Sequence, residues 1–302
     1  MILPILYRQA EVNKKATHVG IDHPEVYRKR KVDLDAVARF PLEISYQFNS
    51  RGFRGPEWPS DVKSLTESIW VIGSSYAMSV GLPEEYMLSL RIKEHLNESA
   101  IDASAGGVSN EWIRDRAQYI IDTLHPEELV IHWTLLHVRD DIDRLNRELE
   151  QQWQNYYQAI KDPSWPAVSR DHISSLPNNI LDELQSSDDY YRSLYLSDDD
   201  RINLVLRVSI AEGTPILFEC IKHIEQHKQN TRVYHVLPPI TEETDPYYPD
   251  LEHSITNISP DVILVPTVKR VDLARDQYHY GPISSRNLVN NLIDTMKKYQ
   301  SS

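Results

Sequence analysis

From residue 68 onward the chain repeats one arrangement, a short apolar run followed by a stretch of helical spacing. The runs are SIWVIG (68–73), ESAIDAS (98–104), ELVIHW (128–133), TRVYHVL (231–237) and DVILVPTV (261–268). Strands buried on both faces read as continuous apolar runs rather than as alternating ones. Helical patterns fill the intervals at 84–97, 109–124 and 201–228. A last helix is expected over 283–298, where Leu288, Val289, Leu292, Ile293 and Met296 share one face and Pro282 suits the start. This alternation predicts an α/β fold with a mostly parallel five-stranded sheet and helices on both faces.

Two segments stand outside the alternation. Residues 1–67 keep no sustained period and mix charges with turn signals such as IDHP (21–24) and RGFRGPEWP (51–59). They are expected to form an N-terminal arm of short strands or turns packed on a main domain spanning 68–302. For residues 1–30 a flexible leader is the competing reading. The stretch 140–200 carries 14 acidic residues against five basic ones, which places nine of the chain's 13 net negative charges there. It reads as a mainly helical insertion between the third and fourth strands, or as a solvated surface elaboration.

Charge and cysteine content narrow the function classes. A net charge of −13 argues against nucleic acid as a partner, because a phosphate backbone needs a cationic face. The single cysteine, Cys220, forbids an intramolecular disulfide and a cysteine metal cage. It sits in the apolar run ILFECI and reads as a small core residue rather than a thiolate. The apolar run MILPIL is too short for a signal-peptide core or a membrane span. The expectation is a soluble intracellular, cytoplasmic protein with no membrane partner. No G-x-G-x-x-G or Walker-type loop follows a strand, which argues against dinucleotides and triphosphates. His223 and His227 have zinc-ligand spacing, but HIEQH is not H-E-x-x-H, so no metal is expected there. Asp140, Asp141 and Asp143 read as a solvated helix start rather than a hard-metal site.

Three other stretches carry candidate chemistry. Gly73-Ser74-Ser75-Tyr76 closes the first run, where a serine hydroxyl is presented at a strand-to-helix turn beside backbone N–H donors. It departs from the G-x-S-x-G elbow because Ala77 holds the last position, and by itself it is ordinary turn chemistry. Asp102-Ala103-Ser104-Ala105-Gly106-Gly107 follows the second run, and its glycines let backbone N–H groups approach a substrate oxygen. Asp276 and His279 stand three apart after the last run, a spacing that lets a carboxylate orient an imidazole. The same spacing recurs at Asp122–His125 and Asp250–His253, the latter read as a loop. Only the 276–279 pair follows the last strand, on the edge where ligand sites of open α/β sheets collect.

In their order along the chain, WVIGSSY (70–76), DASAGGVSNEWI (102–113) and ARDQYHYGP (274–282) resemble the SGNH (GDSL-type) hydrolase superfamily. The upstream NSRGFRGPEW (49–58) resembles a segment that often precedes the nucleophile strand in that group. The resemblance covers roughly 49–140 and 230–299. It implies a flavodoxin-like three-layer α/β/α fold and ester or acyl-group hydrolysis without a cofactor. Carried over by position, it implies Ser75 as nucleophile and oxyanion donor, Gly107 as second donor, His279 as base and Asp276 as its orienting partner. The sequence departs from the pattern at Ser74, where an aspartate is usual, and at Asp102, where an asparagine is usual. The third block, IHWTLLHVRDD (131–141), lacks the asparagine that completes the oxyanion hole. Thr134, His137 or Asn110 is then the substitute donor. The substrate expected is a small acyl ester of a carbohydrate or other polar alcohol, with acyl transfer mechanistically adjacent. A weakly active or inactive binding protein of the same fold is the alternative.

Overall fold

A computed structural model of the chain describes residues 11–29, 32–136, 198–238 and 248–300. His137, Asp140, Asp141, Asp143 and most of the 140–200 stretch lie outside these residues.

Ahead of the alternating region, β1 (Lys15–Ala16) and β2 (Tyr46–Gln47) pair antiparallel, Lys15 opposite Gln47. Between them lie two short helices, α1 (Pro24–Lys29) and α2 (Leu34–Ala38). Ile44, Tyr46 and Phe48 form a small buried cluster with Met78 and Val80 of the main domain. A third helix, α3 (Val62–Glu67), is capped by the Asp61 carboxylate, which accepts the Ser64 N–H at 2.8 Å. It leads directly into the main sheet.

The five apolar runs are the five strands of that sheet. In chain order they are β3 (Ile69–Gly73), β4 (Ala100–Asp102), β5 (Glu128–His132), β6 (Arg232–Val236) and β7 (Ile263–Val265). Every pairing is parallel and the spatial order is β4-β3-β5-β6-β7. The register aligns Val71 with Val130, Val130 with Tyr234 and Tyr234 with Ile263. This is the doubly wound order 2-1-3-4-5, and it reverses direction at β3.

Side chains alternate across the sheet, as the period of two demands. Trp70, Ile72, Leu129, Ile131 and Val233 point into one apolar cluster, with α5 (Asn110–Leu124), α6 (Asp198–His227) and α7 (Tyr248–Thr256) over them. Ile69, Val71, Val130, Tyr234 and Val236 point into the other. That face is covered by α4 (Leu88–Leu96) and by α8 (Pro282–Gln300), whose buried residues include Leu288, Val289, Leu292, Ile293 and Met296. The result is a three-layer α/β/α sandwich.

Helix ends follow their local chemistry. Ser109 caps α5 by accepting the Trp112 N–H at 3.0 Å, and His125 ends it in the left-handed region with φ +48°. Pro249 falls in the first turn of α7, where a missing N–H costs nothing. The α8 start is held by Asp272, whose carboxylate accepts the Ile283 and Ser284 N–H groups, each at 2.8 Å. That contact fixes the segment joining β7 to α8.

Candidate active site

Gly73 ends β3 in a space where no side chain fits. A Cβ there would lie 2.7 Å from the His132 carbonyl oxygen and 2.8 Å from Ala77 Cβ. The chain therefore turns away at once, and Ser75, half-buried, stands at the carboxyl end of the sheet beside its point of reversal. The sequence placed Ser75 at a strand-to-helix turn, with helical spacing from 84 onward. The structure has a bend at 74 and turns over 75–81, with the Met78 N–H bonded to the Ser74 carbonyl (3.1 Å) and the Val80 N–H to the Ser75 carbonyl (3.0 Å). Regular helix resumes only at α4. The intervening Gly81 and Pro83 favour turn over helix.

His279 and Asp276 occupy a tight hairpin between β7 and α8. Leu273 bridges Tyr280, and the Ala274 N–H reaches the His279 carbonyl at 3.1 Å. Asp276 Oδ1 accepts the Tyr278 and His279 N–H groups at 2.9 and 3.0 Å, an Asx-type turn that fixes the carboxylate. Its Oδ2 then lies 2.5 Å from His279 Nδ1. The other imidazole nitrogen, Nε2, lies 2.7 Å from Ser75 Oγ. Asp276 and His279 are both almost wholly buried. Burial opposes charge on Asp276, but the neighbouring His279 imidazole and the hydrogen bonds from His279 and Tyr278 hold the carboxyl below the usual range. An ionised Asp276 accepts the proton on Nδ1, which leaves Nε2 to accept from the serine hydroxyl.

Tyr76 packs against the imidazole edge-on, with ring centroids 4.6 Å apart, and lies nearly parallel to the His132 ring at 6.0 Å. His132, fully buried at the end of β5, is pushed down to about 4 by desolvation and is therefore neutral.

The second block faces Ser75 with main chain. Ala105 N–H bonds the Gly73 carbonyl at 2.9 Å, and a Cβ on Gly106 would lie 3.9 Å from Ser75 Cβ. Gly107 has φ +72°, a conformation open to glycine. Among the described residues, neither the Ser75 nor the Gly107 N–H donates an intramolecular hydrogen bond. Asp102 anchors the loop by accepting the Ser104 N–H at 2.8 Å.

Thr134 follows β5 and is buried. Its hydroxyl makes no hydrogen bond among the described residues, whereas its N–H and carbonyl are both taken by the Asn110 amide, at 2.9 and 3.4 Å. Asn110 thus holds the third block against the start of α5. Beneath it, Trp133 Nε1 donates to His235 Nδ1 at 3.1 Å, and His235 Nε2 lies 3.0 Å from Glu225.

Other expected features fall elsewhere. His125 caps α5 at the opposite edge of the sheet. His253 lies on α7 rather than in the loop the sequence suggested, because Pro249 initiates helix there. His223 and His227 stack with centroids 4.4 Å apart, and among the described residues no group of three His, Cys, Asp or Glu is placed to hold a metal. A cavity of about 400 Å³ opens at the amino ends of the strands, lined by Glu67, Glu98, Glu127, Glu128, Arg232 and Gln300. It lies on the edge away from Ser75. No described helix is long and apolar enough to cross a membrane.

Four side chains given no role from the sequence support this edge: Asp22, Tyr46, Arg54 and Arg275, of which Arg54 and Arg275 fall within the segments 49–58 and 274–282. The Arg54 guanidinium is buried and donates to the carbonyls of Met78, Ser79, Ser45 and Leu82 at 2.7–3.0 Å, gripping the turn after Ser75. Burial pulls it below the usual guanidinium range. The only hint in the sequence was the charged, glycine-flanked RGFRG.

No family model matches the chain, and no curated protein matches it. Solved structures to which it is similar include the psychrotrophic esterase EstA from Pseudoalteromonas sp., at 13% identity and TM-score 0.41, covering 78% of this chain and 100% of that one. A carbohydrate esterase family 2 enzyme with a carbohydrate-binding domain, from Corynascus thermopiles, is 11% identical with TM-score 0.42, covering 85% and 71%. A lipolytic protein of the G-D-S-L family from Desulfitobacterium hafniense is 9% identical with TM-score 0.40, covering 76% and 98%. Likenesses this remote carry no argument about activity.

Proposed function

We propose that this chain is a serine hydrolase of SGNH type that cleaves an ester through an acyl-enzyme on Ser75. The observation that supports this reading is the continuous hydrogen-bonded chain from Asp276 through His279 to Ser75 Oγ. In this reading His279 Nε2 takes the hydroxyl proton as Ser75 Oγ attacks the carbonyl carbon. Asp276 holds the tautomer and stabilises the imidazolium. The Ser75 and Gly107 N–H groups, with the Thr134 hydroxyl as third donor, receive the oxyanion. Protonated His279 then gives its proton to the leaving alkoxide. A water deprotonated by the same imidazole attacks the acyl-enzyme, releases the acid and restores Ser75.

We assign the acyl group as small, because Gly106 approaches Ser75 closely: a Cβ on it would lie 3.9 Å from Ser75 Cβ and 3.7 Å from Met78 Cε. The alcohol is assigned as a carbohydrate or other polar alcohol. The test is labelling by a fluorophosphonate probe and turnover of p-nitrophenyl esters of increasing acyl length, alongside acetylated sugars. Wild type is expected to label and to favour acetate, and Ser75→Ala to do neither. Turnover that survives both Ser75→Ala and His279→Ala overturns the roles. A wild type that neither labels nor turns over any ester leaves a binding protein of this fold.

A further inference from the structure

The arm enters the site's support through one buried carboxylate. Asp22, fully buried ahead of α1, accepts hydrogen bonds from the Tyr27 and Tyr46 hydroxyls, the latter at 2.5 Å. It also accepts from Arg275, through Nε at 3.0 Å and Nη2 at 2.5 Å. A buried carboxylate persists only when its charge and lone pairs are matched, and a forked guanidinium does both while fixing its own orientation. Arg275 is bonded to Asp276 in the chain, and its N–H donates to the Gly81 carbonyl at 3.1 Å. The Gly81 N–H in turn donates to Tyr46 Oη at 2.8 Å.

These contacts close a ring: Asp22 to Tyr46, Tyr46 to Gly81, Gly81 to Arg275, and Arg275 back to Asp22. The ring joins the arm, the turn after Ser75 and the hairpin of His279, although Asp22 and Arg275 are 253 residues apart. Gly81 is the close approach that permits it. With φ +78°, a Cβ there would lie 2.8 Å from Ala274 Cβ and 3.2 Å from Asp276 Oδ1.

We propose that Asp22 is a positioning residue: through Arg275 it fixes Asp276, and with it the His279 imidazole, within hydrogen-bonding distance of Ser75. The kinetic half of this inference rests on the hydrolase reading, and the geometric half does not. Asp22 touches no reacting atom. Its effect is on where the base stands.

The test uses the full chain and two variants, Asp22→Asn and Arg275→Lys. Each keeps a polar side chain but removes either the carboxylate charge or the fork. The geometric readout is the far-downfield proton resonance of His279 Nδ1–H in its bond to Asp276. It is expected in wild type, and shifted or broadened away in both variants while circular dichroism stays native. On p-nitrophenyl acetate, kcat is expected to fall about 10–100-fold with KM little changed, the signature of a misplaced base. The double variant is expected to be no slower than the slower single one, because both act through one contact. An unchanged resonance and kcat in folded Asp22→Asn, or losses that multiply in the double variant, overturn the proposal. Should Asp22→Asn fail to fold, Arg275→Lys carries the same readout. If wild type turns over no ester yet the resonance still depends on Asp22, the hydrolase reading fails and the positioning role stands.

Discussion

Asp102 places one carboxylate oxygen on the Ser104 N–H, while among the described residues the buried other oxygen has no partner at ordinary hydrogen-bond geometry. Desolvation pushes this carboxyl up to about 7, against the Ser104 hydrogen bond and the Arg54 charge. A carboxylate whose folded value is raised favours folding below the unfolded value of ~3.9. That contribution is lost as pH rises through the folded value. Asp102→Asn keeps the acceptor for Ser104 and removes the ionisation. It is expected to match wild type near pH 4 and to be the more stable protein above pH 7. The gap should widen by up to ~1.4 kcal/mol per pH unit between those limits. Urea unfolding at pH 4, 6 and 8 checks this, and parallel pH profiles for the two proteins would refute it. Residue identity alone made Asp102 visible as a departure from a familiar pattern. Its protonation could not be read from sequence, because it depends on how completely water is excluded.

The third-block loop illustrates what elements decide. Thr134, His137 and Asn110 were alternatives in the sequence, each able to donate to an oxyanion, and His137 lies outside the described residues. Packing the start of α5 against the end of β5 separates Thr134 from Asn110, since the Asn110 amide satisfies both main-chain groups of Thr134 and leaves the threonine hydroxyl available. Thr134→Val is therefore expected to lower kcat on the order of 10²-fold with KM little changed, as for loss of one oxyanion donor. Asn110→Ala is expected to destabilise by ~1–3 kcal/mol, the cost of an unpaired buried N–H. Steady-state kinetics and thermal unfolding distinguish the two. The idea fails if Thr134→Val retains full kcat. Most strands and helices were legible because their apolar periods are local, with ends that moved, as where β7 shortens to Ile263–Val265 from a run of 261–268; α7 was read as a loop. The turn after Ser75 was not legible, because Arg54 shapes it from a distance.

Across the whole molecule, Arg54 is the clearest link between the arm and the α/β sandwich. Its ring contact with Tyr46, at 4.3 Å, and its four carbonyl bonds tie it to two other segments, 45–46 of the arm and the turn at 78–82. Arg54→Ala is expected to cost at least ~3 kcal/mol, since several buried carbonyls lose charge-assisted partners. Arg54→Lys should recover part of this, an ammonium being unable to reproduce the planar fork. Urea unfolding of the three proteins checks both, and an alanine variant as stable as wild type would sink the linkage. The sequence by itself determined the α/β class and the five strands, because burial on both faces writes itself into runs of adjacent residues. It also marked Ser75 and the Asp276–His279 pair, because a serine after a strand and a three-residue Asp–His spacing are local patterns. Only the tertiary structure decided which distant charges hold them in place. Asp22 meets Arg275, and Arg54 meets the turn at Met78, through chain reversals that no local period encodes. The bonds formed there depend on burial, which is a property of the folded whole.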